Sequence, residues 1–109
     1  MEAETWLDAE ERRTRARLDG VRGELAGIIA ASAATNADDE HDPEGATIAF
    51  ERQQVASLVR QAEERLAEVE AARARLEAGE YGRCESCGRP IPGPRLELRP
   101  TARRCVACG

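Results

Sequence analysis

With 109 residues, 34% of them charged and 3% aromatic, and a net charge of −5, the chain can form one compact domain or one elongated hairpin with a small appendage. A single Trp6, a single Phe50 and a single Tyr81 exclude a large aromatic core, and the abundance of Ala, Glu and Arg is the composition of a long helix or coiled coil. Every basic residue is Arg, and 19 acids against 10 Arg in residues 1–80 give way to 2 acids against 6 Arg in residues 81–109, a distribution without the basic stripe that duplex DNA requires.

The first predicted element is a helix from about Glu4 to Ala34. Leu7, Thr14, Val21 and Ile28 recur every seven residues, with Glu11, Leu18 and Leu25 at the complementary positions. This is an a/d seam, imperfect in its first two heptads. Gly20, Gly23 and Gly27 each weaken a helix by about 1 kcal/mol, so a packing partner must support it. Met1–Glu11 is acidic and lacks the apolar stretch of a secretion signal. The apolar run near Ala26–Ala34 is interrupted by Gly27 and Ser32 and is too short to span a bilayer. No membrane association is expected, and the cytoplasm is the expected location.

The second predicted helix runs from about Pro43 to Ala78. Ile48, Val55, Ala62, Val69 and Leu76 form an unbroken seven-residue series, and Val59 and Leu66 fill alternate seam positions. Arg52 and Arg73 take the remaining ones, where an Arg lays its stem on the seam and turns its head outward. Asp42 reads as the N-cap, Pro43 as the first helical residue, Glu44 as a first-turn acid and Gly79 as the stop. Two seams joined by a short acidic connection, Thr35–Asp42, predict a mainly α fold: an antiparallel helical hairpin, or coiled coil, over residues 1–80. The tip is then the acidic stretch near residues 35–46, some 50 Å from the far end at 1.5 Å per residue. The same seams could instead pair two chains, but similar helix lengths and the short connection favour pairing within one chain.

Residues 81–109 hold all four Cys and every Pro except Pro43, which predicts turns and short strands. The Cys spacing is C-x2-C, seventeen residues, C-x2-C. Two residues between ligands let one tight turn aim both sulfurs at a point, and two such turns supply Cys84, Cys87, Cys105 and Cys108 to one structural Zn²⁺. Gly88 and Gly109 follow the two pairs, where positive φ is often needed. Two disulfides, unmetallated thiols and an iron–sulfur centre are the competing readings. Reduced cytoplasmic thiols favour metal, and four protein ligands leave no open position for catalysis.

The residues between the ligands add a resemblance. Tyr81-Gly-Arg-Cys84-Glu-Ser-Cys87-Gly-Arg-Pro-Ile91, followed by Arg95-Leu-Glu-Leu-Arg-Pro100-Thr-Ala and the Cys105/Cys108 pair, resembles the DksA/TraR C4-type zinc finger. The hairpin ahead of it is similar to that family's coiled coil. The resemblance implies a protein that binds bacterial RNA polymerase without binding DNA specifically. Its coiled-coil tip would enter the secondary channel and alter initiation, in some members together with the alarmone ppGpp. The family's tip motif is an acid, two residues, a second acid, one residue and Ala. Here Glu44 and Ala46 fall in register, while Asp42 is displaced by one and His41 stands where the first acid would be. With no Lys in the chain, a Lys contact to ppGpp is absent and Arg99 is left as a phosphate-facing base. The family's best-known members continue into a C-terminal helix that helps grip polymerase, so a chain ending at Gly109 is expected to grip differently.

The leading functional reading is therefore a zinc-binding transcription regulator acting directly on RNA polymerase. The alternative is a zinc-capped coiled-coil scaffold that binds another protein or self-associates. No H-E-x-x-H, phosphate loop or dinucleotide fingerprint is present, and His41 has no nucleophile beside it, so no enzyme activity is expected.

Overall fold

The computed structural model describes residues 2–35 and 43–109. Among them are three helices, α1 (Glu2–Thr35), α2 (Pro43–Glu77) and α3 (Gly93–Leu98), and no strand. The two long helices pack as a hairpin, and the heptad seam is the buried face. Leu7, Thr14, Leu18 and Val21 of α1 are buried, as are Val55, Ala62 and Val69 of α2. Leu25, Ile28, Ile48, Val59, Leu66 and Leu76 are half-buried. No described helix is long and apolar enough to cross a membrane.

The chain divides into two compact units. One comprises Met1–Thr14 and Arg65–Gly109, and the other Arg15–Glu64. In the second, Leu18, Val21, Val55 and Ala62 supply the buried apolar surface, and Arg22 pairs with Glu63 at 3.1 Å. That ion pair is solvent-exposed and contributes at most about 1 kcal/mol. In the first unit the seam closes differently from the heptad reading. Ala72, not Arg73, is fully buried beyond Val69. Arg73 stands at the edge, with Nη2 2.7 Å from Asp8 Oδ1 and 3.2 Å from Glu11 Oε1. The hydrogen bond with Asp8 is the main reason its guanidinium is held above its ordinary pKa.

α2 ends as the sequence predicts. Gly79 has φ of 76°, its N–H donates to the Leu76 carbonyl, and the Glu80 N–H donates to the Arg75 carbonyl. These are the two bonds of a Schellman C-cap. An added Cβ at Gly79 would meet nothing within 4 Å, so only the backbone conformation resists substitution. Gly79→Ala is expected to lower unfolding free energy by about 1–2 kcal/mol, read as an earlier urea midpoint.

The expectation of short strands in residues 81–109 is corrected. An isolated antiparallel bridge, Arg83 with Pro90, is the one strand-like pairing among the described residues, and α3 is an unexpected helix. Pro94 lies in its first turn, where backbone N–H groups have no helical partner and the ring sets a helical φ. The prolines therefore start this helix instead of forbidding it, and Leu96 gives it a buried anchor.

Candidate metal centre

The first cysteine turn is closed by the Gly88 N–H donating to the Cys84 carbonyl at 2.9 Å, and the Cys84 N–H donates to the Arg89 carbonyl at 2.9 Å. Gly88 has φ of 75°, as this turn requires. The second turn repeats the pattern, with the Gly109 N–H on the Cys105 carbonyl at 2.8 Å. Gly109, however, is not in the positive-φ region. Its constraint is space: a Cβ there would lie 3.1 Å from the Cys105 carbonyl oxygen and 3.3 Å from Arg95 Nη2. The two turns are joined by the Glu85 N–H on the Arg103 carbonyl at 2.9 Å and by Arg104 beside Glu85 at 3.4 Å.

These bonds bring all four sulfurs within 4.8 Å of one another. Cys87 Sγ and Cys105 Sγ are 3.7 Å apart. A tetrahedral ion with 2.3 Å metal–sulfur bonds sets sulfurs about 3.8 Å apart, so the spacing suits Zn²⁺. All four cysteines are free thiols, which removes the disulfide reading. Their electrostatics differ. Backbone hydrogen bonds, first from Cys105 and then from Cys87, lower the Cys84 thiol to about 6. The Cys105 thiol is also lowered, chiefly by a backbone hydrogen bond from Cys108. Cys108 is pushed up to about 12, first by its hydrogen bond with Cys105 and then by those with Cys87 and Cys84. Four thiolates cannot crowd together uncompensated, and a divalent cation reverses that penalty.

Cys84 is also part of the local hydrophobic core. It is buried with Ile91 and Leu96, and Trp6, Tyr81, Ala102 and Cys105 pack against them. Tyr81 Oη donates to the Pro100 carbonyl at 2.8 Å, and Arg75 Nη2 reaches the Thr101 carbonyl at 3.4 Å. Burial raises the Tyr81 pKa. It also lowers that of Arg75, with Arg103 adding repulsion.

The residues between the ligands match, over positions 79–109, the family described as the prokaryotic dksA/traR C4-type zinc finger. The chain carries a DksA/TraR zinc finger. Two curated relatives share sequence with it. An uncharacterized protein of Aquifex aeolicus (strain VF5) is 46% identical over 43 residues, covering 39% of this chain and 30% of that protein. The uncharacterized protein YteA of Bacillus subtilis (strain 168) is 39% identical over 67 residues, covering 62% of this chain and 28% of YteA. The chain thus spans less than a third of either relative's length. Among solved structures, transcription factor DksA2 from Pseudomonas aeruginosa matches with a TM-score of 0.59 and 25% identity, over 96% of this chain and 81% of that one. The DksA/TraR finger, with its four clustered sulfurs, is a structural zinc module.

The tip is less fully described. Asp42 lies outside the described residues, Glu44 falls within the first turn of α2, and Ala46 is exposed on the same helix. Sequence reasoning missed Trp6 as a partner of the finger core. A signal was present, because Trp6 falls off the α1 seam and an apolar ring there needs another surface.

Proposed function

We propose that this chain is a transcription regulator that binds bacterial RNA polymerase directly and modulates initiation through its coiled-coil tip in the secondary channel. The observation that carries the reading is the likeness to transcription factor DksA2, which extends over 96% of the chain and so spans hairpin and finger alike. Within it, residues 1–80 form the hairpin domain and residues 81–109 the finger, and Cys84, Cys87, Cys105 and Cys108 hold the Zn²⁺. A closed four-thiolate shell has no open coordination position, so the ion's contribution is folding energy, not catalysis. At the tip Asp42 and Glu44 act by charge, and the small Ala46 leaves room for close approach. A pair of helices is slender enough for a channel that refuses a globular domain. The acidic character of residues 1–80 speeds encounter with basic walls. The site of action is cytoplasmic, and DNA enters only through the polymerase.

The test is in vitro transcription with the wild type and with Asp42→Asn/Glu44→Gln, beside a pull-down on purified polymerase at moderate salt. The expected result is retained binding with most of the effect on initiation lost in the variant. No complex with polymerase would overturn the reading, and equal activity of the two proteins would remove the tip residues from it.

A further inference from the structure

The two cysteine turns are unequally secured. The first sits on the module's core, with Cys84 buried beside Ile91 and Leu96 and the bridge Arg83–Pro90 backing it. The second has no buried ligand: Cys105 is half-buried against that core, Cys108 is exposed, and Val106 between them is 70% exposed. Its leading edge is tied to the first turn by the Glu85 N–H on the Arg103 carbonyl and by the Arg104–Glu85 pair, and both of these lie before Cys105. One side chain reaches both ends of the turn. Arg95 Nε donates to the Arg104 carbonyl at 2.9 Å, immediately before Cys105. Its Nη2 lies against Gly109, at the far end of the same turn, close enough that a Cβ would fall 3.3 Å from it. The guanidinium therefore spans the second turn from end to end.

The position of Arg95 makes this a link between the two halves of the site. Its neighbour Leu96 is the residue by which α3 is buried in the core around Cys84. Adjacent residues of one short helix thus grip the first cysteine turn by apolar packing and the second by hydrogen bonding. We infer that Arg95 is the positioning residue of the zinc site: it holds Cys105 and Cys108 in ligand geometry and so governs how fast the ion is lost. Loss of zinc begins with opening of the second turn, the half without a buried ligand, and the Arg95 fork resists that opening. Outer groups that orient metal ligands typically change metal affinity by about 10–100-fold when removed. Lys cannot replace the fork, because its single ammonium has no planar set of donors to reach both ends of the turn.

This inference rests on the zinc reading of the four cysteines and is independent of polymerase binding. The experiment uses the full chain loaded with zinc. Release to a chromogenic chelator is timed for wild type, Arg95→Gln, Arg95→Lys and Arg99→Gln, with the absorption bands of the Co²⁺-substituted proteins and helical circular dichroism recorded alongside. Arg95→Gln is expected to release zinc at least tenfold faster and to alter the Co²⁺ bands, with helical signal unchanged. Arg95→Lys should fall between it and wild type, and Arg99→Gln should match wild type. Arg95→Met, which keeps an apolar stem and removes every donor, should reproduce the acceleration and keeps the test valid if Arg95→Gln does not fold. Release from Arg95→Gln and Arg95→Met at the wild-type rate overturns the assignment. So does acceleration that only tracks loss of helix, which would mark a general stability effect. A wild-type chain that takes up no zinc fails the zinc reading itself.

Discussion

Stripping zinc from the chain is expected to unfold residues 81–109 and shift Trp6 emission to the red, while most of the helical circular-dichroism signal remains. The segment buries four residues, Cys84, Ile91, Leu96 and Pro100, and one of them is a metal ligand. Ordering each residue costs about 1–2 kcal/mol of conformational entropy, and so small a core cannot offset that over such a segment. Structural zinc supplies on the order of 10 kcal/mol to modules of this kind. α1 and α2 bury their seam on their own residues and do not need the ion. Trp6 is the single tryptophan and packs on the finger core, so its emission reports that core directly. Collapse of the whole helical signal on chelation would contradict this modular behaviour, and an unmoved Trp6 spectrum would contradict its packing on the finger.

Acidification should produce the same change without a chelator. Zinc binds thiolates, so binding is favoured at high pH and weakens as protons compete. Without metal the Cys108 thiol is held at about 12 by its hydrogen bonds with Cys105, Cys87 and Cys84, so at neutral pH the ion must expel its proton. The lowered Cys84 thiol, at about 6, is the easier ligand to supply. Stability contributed by zinc is therefore present in the neutral to alkaline range and lost as pH falls, and the Trp6 red shift should appear with it.

How far the sequence speaks for this structure depends on the kind of signal. Periodicity located the helices well: α1 and α2 lie within two residues of the bounds expected from their seams, because a seven-residue apolar repeat has no other compact outcome. The Cys spacing likewise specified a four-sulfur cluster, since a C-x2-C turn can aim its sulfurs only inward. What composition hid was context. Pro and Gly counts argue against a long helix, but Pro94 is favourable in the first turn of a short one, which is how α3 escaped notice. Arg73 has the seam register yet yields the buried place to Ala72. Two carboxylates, Asp8 and Glu11, were waiting for it at the edge, and their position depends on the partner helix. Trp6 off the α1 seam signals a second surface but not which one, since the finger it packs on comes much later in the chain, and the bond from Arg95 to the Arg104 carbonyl depends on how the intervening turn folds.

Leu7→Ala is the substitution expected to cost the hairpin most. Leu7 of α1 and Val69 of α2 are both fully buried within the same compact unit, so truncating Leu7 removes apolar contact and leaves a void that rigid helices cannot fully close. Such Leu-to-Ala changes cost about 2–5 kcal/mol. A domain of this size has about 5–15 kcal/mol to lose, so the urea midpoint should fall sharply. Two comparisons show that the seam, not apolar content, sets the size of the effect. Phe50 is a larger side chain but is 64% exposed, so Phe50→Ala should change stability by no more than about 0.5 kcal/mol. Arg73→Ala breaks two ion pairs at a half-exposed edge, which solvent screening limits to roughly 1 kcal/mol. Equal midpoints for Leu7→Ala and Phe50→Ala would mean that the heptad face is not what holds the helices together. The expected order, Leu7 well ahead of Arg73 and Arg73 ahead of Phe50, follows from burial and from two screened ion pairs, and requires nothing of the zinc.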